Sequence, residues 1–330
     1  MNTILAIILS PEKGISRSDR ELLAASRVLA DQLDGQLVAE LVGASVEESQ
    51  AGEAIACGAD KAYLARDPLL VDHNSEVMLQ AVETLVQELQ PQAVVFIGKT
   101  SSQEIASRLA YRLKTGCILD CVEMSVEQSS GRLLLTKPIY GGKAVALFAA
   151  SQTPAVVVLR TRTVDPAEPD VTRQGEVETL SLSLDSSRVS ARVVERVSEQ
   201  GEGVKLEDAT VIISGGRGMG GSEQFQVLEE LARLLNGSVG ASRAACDLGW
   251  VPASWQIGQT GKKVAPQLYV AVGISGASQH LIGMAGAKHV VAINTDPNAP
   301  IFKVAELGVV EDYQNVVPHL IEELNQRRTD

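Results

Sequence analysis

Aromatic residues are scarce in this chain of 330 residues, at 3% of the composition. Proteins that hold single-stranded nucleic acid by stacking its bases need several such rings, so this class is disfavoured. Basic residues are also in the minority, with 29 against 41 acidic ones and a formal net charge of −12. Since no cluster of Lys and Arg offers a surface to a phosphate backbone, we expect no nucleic-acid partner.

The chain has four cysteines, Cys57, Cys117, Cys121 and Cys246, and no Cys-x-x-Cys pair. We expect buried, reduced thiols and no metal site, because no His or Cys lies at ligand spacing from them. Long apolar runs are missing as well, since the run near the N-terminus covers only Ile4–Leu9 and follows no basic segment. This pattern predicts neither a signal peptide nor a membrane-spanning helix, and we expect a cytoplasmic protein without stable membrane insertion.

The composition is otherwise that of an ordinary folded protein, 45% hydrophobic and 21% charged. At roughly 150 residues per domain, the length predicts two domains. The segment SEQGEG at 198–203 contains no apolar residue and is typical of a linker. We therefore predict an N-terminal domain over residues 1–200 and a C-terminal domain over 205–330.

Apolar runs alternate with helical periodicity in both predicted domains, which indicates mostly parallel sheets flanked by helices. In the N-terminal domain this pattern predicts strands at Thr3–Leu9, Gln36–Val42, Ala62–Ala65 and Ala93–Gly98, and helices at Ser18–Leu33, Ser75–Leu89 and Ser101–Leu113. The Ser-x-x-Glu that begins at Ser18 predicts a capping box, and Lys99–Ser102 another helix cap. Four further strands are predicted to extend this sheet in antiparallel fashion, at Ile118–Val126, Leu133–Tyr140, Lys143–Ala149 and Ala155–Arg160.

Each predicted strand of the C-terminal domain runs into a polar or glycine-rich turn. The strands are Thr210–Ser214, Ser238–Ala241, Leu268–Val272, His289–Ile293 and Gly308–Val310, and the helices are Ser222–Leu235, Ala277–Met284, Phe302–Glu306 and Tyr313–Leu324. In an open parallel sheet, ligands bind beyond the carboxyl ends of the strands. Five such turns at one edge therefore predict a binding site there.

The first of these turns contains G-x-G-x-x-G, formed by Gly216, Gly218 and Gly221 between a strand and a helix. A dinucleotide site also needs an acidic residue about twenty positions on. Ser242 and Arg243 stand there instead, which disfavours NAD but suits the 2′-phosphate of NADP. A tight strand-to-helix turn that requires small residues is the alternative explanation of the glycines.

A second glycine turn, Ser275–Ala277, precedes a helix and suits a pyrophosphate, because small residues let free backbone N–H groups approach it. His280 lies one turn into that helix, where it serves either the ligand or the core. The polar loop Gln256–Thr260 is long enough to fold over a ligand, and is otherwise a surface connection.

Four stretches together resemble the α subunit of electron-transfer flavoproteins: SGGRG at 214–218, GASRAACDLGWVP at 240–252, QIGQTGKKVAPQLYVAVGISGASQHLIGM at 256–284 and VVAINTDPNAPIFKVAELGVVED at 290–312. The resemblance extends over essentially the whole chain. It implies a heterodimer with a β subunit, a subunit-interface role for the N-terminal domain, and FAD in the C-terminal domain. The positions that match FAD contacts of the family are Arg217, Ser242, Arg243, Ile257, Gly258, Gln259, Thr260, Ser275, Gly276, Ala277, Ser278, Gln279, His280, Asn294, Asp312 and Tyr313.

By the same resemblance, Arg243, Thr260 and His280 surround the isoalloxazine ring and tune it, while Asn294 and Asp312 lie toward the adenosine. The family often has Leu where this chain has Tyr313. The implied function is an electron carrier without substrate turnover of its own. It would take electrons from flavoprotein dehydrogenases, as in fatty acid beta-oxidation, and pass them through an anionic semiquinone to an oxidoreductase or quinone-linked acceptor.

Two other functions remain open from the residues alone. An NADP-dependent oxidoreductase would use Gly216–Gly221 and Arg243, but it would need a proton-transfer constellation that the sequence does not present. A nucleotide-binding adaptor without redox chemistry would bind ATP or AMP through the N-terminal domain, where Lys99–Ser102 is the nearest candidate for anion contact.

Overall fold

The computed structural model describes residues 2–11, 14–72, 74–142, 144–191, 193–195 and 206–329. The chain divides into two compact units, Met1–Arg196 and Val197–Asp330. The predicted linker at 198–203 lies outside the described residues, so the predicted domain boundary stays a prediction.

The N-terminal unit is an α/β structure built on a seven-stranded parallel sheet, in the order β10-β3-β2-β1-β4-β9-β5. Its strands are β1 (Thr3–Leu9), β2 (Gln36–Val42), β3 (Lys61–Ala65), β4 (Ala93–Ile97), β5 (Cys117–Cys121), β6 (Glu123–Val126), β7 (Leu133–Ile139), β8 (Ala144–Ala149), β9 (Ala155–Leu159) and β10 (Glu176–Thr179). Its helices are α1 (Arg17–Gln32), α2 (Glu48–Ala56), α3 (Ser75–Leu89) and α4 (Thr100–Leu113). The predicted parallel α/β arrangement is confirmed, while α2 and β10 were not predicted.

The antiparallel extension exists as a separate three-stranded sheet, β6-β7-β8. One of the four segments predicted for it lies wholly in the main sheet, and another lies there in part. β9 pairs in parallel with β4 and β5 inside the main sheet, and all of its residues are buried, as expected for a strand covered on both faces. The predicted strand Ile118–Val126 divides into β5, which pairs with β9 in the main sheet, and β6, which pairs with β7. β5 is itself irregular, with a register shift between Ile118 and Cys121 and a φ of +64° at Asp120.

The helix caps differ from the predicted ones. Ser16, not Ser18, caps α1: its hydroxyl accepts the Asp19 N–H, and the Asp19 carboxylate accepts the Ser16 N–H. Glu21, the predicted partner in the box, is buried and accepts the Arg162 N–H at 2.7 Å. Lys99 precedes α4 without a side-chain cap, and its ammonium group pairs with Asp19 at 3.1 Å. Glu21 and Lys99 are therefore engaged by distant segments, while the cap of α1 is the local pair Ser16 and Asp19.

Helices cover both faces of the main sheet, α1 and α2 on one and α3 and α4 on the other. Consequently the central strands are apolar on both sides, and β1 is buried along its whole length. A buried carboxyl group without a hydrogen-bond partner in the described structure lies in this sheet. Glu40 in β2 is 0% exposed, and neither of its carboxyl oxygens has a hydrogen-bond partner among the described residues. Burial raises the pKa of Glu40 well above its usual value.

The C-terminal unit contains a five-stranded parallel sheet in the order β12-β11-β13-β14-β15. Its elements are β11 (Val211–Gly215), α5 (Gln226–Leu234), β12 (Ser238–Ala241), α6 (Arg243–Asp247), β13 (Leu268–Val272), α7 (Ser278–Met284), β14 (His289–Ile293), β15 (Leu307–Val309) and α8 (Tyr313–Thr329). The predicted strands are confirmed to within one residue. The predicted helix at Phe302–Glu306 is a short 3-10 turn, Pro300–Lys303, and α6 was not predicted.

This strand order places a topological switch between β11 and β13, because the chain moves from there toward opposite edges of the sheet. Helices α5 and α8 pack on one face and α7 on the other. The loops that leave β11 and β13 therefore open a crevice at the carboxyl edge, where ligands bind in sheets of this kind. Over the ranges that the structure describes, no helix has the length and apolarity needed to cross a membrane.

Candidate functional site

The loops after β11 and β13 interlock at the switch point. The Gly216 N–H donates to the Val272 carbonyl at 2.8 Å, and the Gly218 N–H donates to the Gly273 carbonyl at 3.0 Å. A Cβ atom on Gly216 would lie 2.2 Å from the Gly273 oxygen, whereas one on Gly221 would meet nothing within 4 Å. Close packing of the two loops therefore explains the first two glycines of the G-x-G-x-x-G pattern, as the tight-turn interpretation expected.

The turn after β13 presents backbone donors without acceptors. In the part of the chain that the structure describes, no N–H group from Ser275 to Gln279 donates a hydrogen bond. Gly276 has a φ of +84°, and a Cβ atom there would lie 2.3 Å from the Ile301 nitrogen, so only glycine fits. Ser275, Ala277, Ser278 and Gln279 are exposed, which leaves this row of donors open to an anion.

The predicted ligand-covering loop packs directly against the start of α7. The Gln259 N–H donates to the Gln279 carbonyl at 2.7 Å. Gly258 packs closely against Gly283 of α7, because a Cβ atom on Gly283 would lie 2.3 Å from the Gly258 nitrogen. The Gln256 amide donates to the Thr260 hydroxyl at 3.0 Å, and Thr260 itself is exposed. The structure thus joins the loop at 256–260 to the glycine turn, while the Ile257 side chain is buried in the core.

His280 is buried in the first turn of α7 and contacts β13. Its Nε2 atom lies 2.8 Å from the hydroxyl of Tyr269, a fully buried residue of β13. Burial lowers the pKa of His280 to about 4, and the Ile257 backbone offsets only part of this effect. The imidazole is therefore neutral at pH 7, and its Nδ1 atom is buried without a hydrogen-bond partner.

Two arginines flank the glycine turns. Arg217 opens the 3-10 turn after β11 and is exposed. Arg243 is the first residue of α6, and its side chain pairs with Asp247 at 3.1 Å. Both partners of that pair are more than 60% exposed, so the interaction contributes little and leaves the guanidinium free to turn toward a ligand. Ser242, next to it, has a buried hydroxyl without a partner in the described structure.

The side chains of the last three predicted contacts are engaged within the protein. Asn294 donates to the Ile274 carbonyl at 2.9 Å and so holds the glycine turn. Asp312 accepts the Gln314 N–H at 2.9 Å. Tyr313 is buried, and its hydroxyl donates to a carbonyl of the loop after β11. Cofactor contact at these three positions stays a prediction.

The structure places all the predicted contacts on segments at or beside the carboxyl edge of this sheet. Three residues next to these segments were not predicted as part of the site: Ser214 in β11, Tyr269 in β13 and Gly273 in the loop after β13. Tyr269 and Ser214 do carry a signal, because each is a polar group within an otherwise apolar run that forms a buried strand.

Three buried side-chain atoms of the C-terminal unit have no partner among the described residues: the hydroxyls of Ser214 and Ser242 and the Nδ1 atom of His280. All three belong to segments at the carboxyl edge, next to the free N–H groups and the two arginines. This donor set fits an anionic group together with a polar ring, which is the chemistry of a flavin dinucleotide. It does not fit a metal, and the described residues contain no group of three or more His, Cys, Asp or Glu suited to one.

Comparisons with known proteins agree with this geometry. The family model described as "Electron transfer flavoprotein FAD-binding domain" matches residues 205–285, and the model "Electron transfer flavoprotein domain" matches residues 4–185. The chain is 40% identical over 306 residues to the electron transfer flavoprotein subunit alpha of Bacillus subtilis (strain 168), covering 93% of this chain and 92% of that protein. It is 39% identical over 312 residues to the subunit alpha of Megasphaera elsdenii, with coverages of 93% and 92%. Protein FixB of Azotobacter vinelandii is 35% identical over 327 residues, with coverages of 97% and 91%.

Proposed function

This chain belongs to the electron transfer flavoprotein alpha-subunit family, and on that premise we propose that it carries electrons from flavoprotein dehydrogenases to a downstream oxidoreductase or quinone-linked acceptor. FAD is the cofactor that membership implies, and a beta subunit is the implied partner. We further propose that the chain forms a heterodimer with this subunit through its N-terminal domain. We also propose a role in fatty acid beta-oxidation. The cytoplasmic location stays a prediction.

The single observation that carries this proposal is the row of free N–H groups from Ser275 to Gln279. A pyrophosphate bears negative charge and several acceptor oxygens, and a concave run of backbone donors binds such groups well. Arg217, on the interlocked loop after β11, adds a positive charge at the same edge of the sheet. We assign the pyrophosphate of FAD to this turn.

Bound FAD supplies one-electron redox chemistry, and the surrounding residues set its potential. We assign to Arg243 the permanent positive charge that favours added negative charge on the ring. Thr260 is exposed and offers a hydroxyl donor, and His280 offers a buried imidazole N–H. Together these groups favour an anionic semiquinone over a neutral one, which suits a carrier that releases electrons singly.

The other functions have less support. The glycines that suggested an NADP site are explained by packing against Gly273, which removes one argument for that cofactor. A colourless adaptor that binds nucleotide through the N-terminal domain has a smaller candidate site at the start of α4, where three N–H groups, Thr100 to Ser102, donate no hydrogen bond within the described chain, against five at Ser275–Gln279.

The test is a visible spectrum of the chain purified with its beta subunit, followed by stepwise reduction with dithionite. We expect an oxidised-flavin spectrum that passes through a red one-electron-reduced form before bleaching. A colourless complex that takes up no added FAD would refute the proposal and favour the adaptor. A flavin that bleaches in one two-electron step would refute the single-electron carrier while leaving FAD binding intact.

A further inference from the structure

Tyr269 has no assigned role, yet it contacts His280, a residue that we place at the flavin. It is the largest fully buried side chain of the chain's described part, and its hydroxyl lies 2.8 Å from Nε2 of His280. The two rings meet edge to face, with centroids 6.2 Å apart and planes at 60°. Ring packing and the hydrogen bond together fix the orientation of the imidazole.

The direction of this hydrogen bond follows from counting donors and acceptors. By hydrogen-bond geometry the described residues give the Tyr269 hydroxyl Nε2 of His280, with the Ser214 hydroxyl as a weaker second neighbour, and they give Nδ1 of His280 no partner. If Nε2 carried the proton and donated it, the Nδ1 lone pair would be buried unsatisfied and the phenol proton would have only the more weakly placed Ser214 hydroxyl. If Tyr269 donates, the Nδ1 proton alone lacks a partner. The second arrangement is favoured, because each unsatisfied buried polar group destabilises the fold.

This arrangement has a consequence for the site. A neutral imidazole whose Nε2 accepts from Tyr269 must carry its proton on Nδ1. The remaining donor of His280 then needs an acceptor, and the protein supplies none with hydrogen-bond geometry in its described part. Tyr269 lies in β13, the strand whose carboxyl end leads into the turn with the free N–H groups, so the same strand sets both features.

We propose that Tyr269 is a positioning residue for the flavin: by donating to Nε2 of His280, it holds the imidazole proton on Nδ1 and keeps that donor available to a carbonyl oxygen of the isoalloxazine ring. This inference rests on the proposed function for its final step. Its first step, the tautomer of His280, concerns the chain itself and can be tested without cofactor.

The first test is nuclear magnetic resonance of the ¹⁵N-labelled full chain, using long-range proton–nitrogen correlations of its 4 histidine rings. The ring that disappears in His280→Gln is His280. We expect it to show the Nδ1–H tautomer at pH 7, and we expect Tyr269→Phe, which loses only the hydroxyl, to shift the ring toward Nε2–H. Tyr111→Phe removes the hydroxyl of a residue that is 85% exposed and should change nothing.

An Nε2–H tautomer in the unmodified chain would overturn the proposal. So would an unchanged His280 spectrum in Tyr269→Phe. If Tyr269→Phe does not fold, the spectrum of the unmodified chain still decides the tautomer.

The second test measures the flavin in the complex with the beta subunit. We expect Tyr269→Phe and His280→Gln each to lower the maximal yield of the one-electron-reduced flavin by about three- to tenfold, the range of one hydrogen bond. The double variant should match His280→Gln, because Tyr269 acts through His280.

The outcomes separate this inference from the proposed function. If His280→Gln changes the yield and Tyr269→Phe does not, the inference is wrong and the electron carrier stands. Additive effects in the double variant would also overturn it, since they would mean that Tyr269 acts by another route. If the unmodified complex binds no FAD, the proposed function fails, whatever the tautomer of His280.

Discussion

The hydroxyl of Tyr313 donates a hydrogen bond to the backbone carbonyl of Met219 at 3.0 Å. Tyr313 begins α8, and Met219 lies in the 3-10 turn after β11 that also contains Arg217. That turn is held on its other side by Gly273, at the end of β13. The loop with the exposed arginine is therefore held by both Tyr313 and Gly273.

Removal of the Tyr313 hydroxyl should loosen this loop. We expect Tyr313→Phe to lower FAD affinity by about three- to tenfold, because one buried hydrogen bond is lost while the ring remains. Fluorescence titration of the apo complex with FAD measures the change, and Tyr111→Phe, at an exposed site, is the control. Unchanged affinity in Tyr313→Phe would show that the loop does not depend on this bond.

The first and last glycines of the G-x-G-x-x-G pattern should respond differently to a methyl group. A Cβ atom on Gly216 would collide with the backbone of Gly273, whereas Gly221 has open space around it. We expect Gly216→Ala to lower the free energy of unfolding of the C-terminal unit by about 1–3 kcal/mol and to weaken FAD binding. Gly221→Ala should leave both unchanged.

Denaturation followed by the fluorescence of Trp250 and Trp255 reports on this unit, because both tryptophans of the chain lie in it. Equal effects of the two substitutions on FAD binding would favour a dinucleotide fingerprint over loop packing.

Arg243→Ala should lower the flavin potential and suppress the red one-electron-reduced form. The reason is that a fixed positive charge near the ring stabilises the negative charge gained on reduction. The matched control is Arg233→Ala, an exposed arginine at the end of α5. A reductive titration of the FAD-loaded complex that is identical for Arg243→Ala and the unmodified chain would remove Arg243 from the flavin site.

The buried carboxyl of Glu40 should make the N-terminal unit more stable in acid than in base. Its pKa is raised on folding, so its contribution to stability is fully present below the ordinary value of 4.5 and is lost as the pH rises toward the folded value. Glu40→Gln removes this dependence. We therefore expect the advantage of Glu40→Gln over the unmodified chain to grow between pH 5 and pH 8, by up to about 1.4 kcal/mol per unit.

Urea unfolding followed by circular dichroism at several pH values measures this advantage, with the exposed Glu88→Gln as control. A difference between Glu40→Gln and the unmodified chain that stays constant with pH would mean that the Glu40 carboxyl does not titrate as a buried acid.

The local pattern of apolar runs and turns was sufficient to predict many of the strands and helices. The predicted strands of the C-terminal unit agree with the structure to within one residue, because an apolar run followed by a glycine or polar turn is a local signal. The glycine turns and the resemblance they carry are local as well, and they located the candidate site at the carboxyl edge. The helix at Ser75–Leu89 was likewise predicted to the residue.

The sequence by itself determined the order of the elements, the two glycine turns and the family, since periodicity and motifs are written along the chain. The tertiary structure decided which distant residues meet. It inserted β9 between β4 and β5, joined Glu21 to the Arg162 N–H, buried Glu40 without a partner and placed Tyr269 against His280. Each of these depends on segments that are far apart in sequence, and their contacts follow from how the sheets and helices pack rather than from any neighbouring residue.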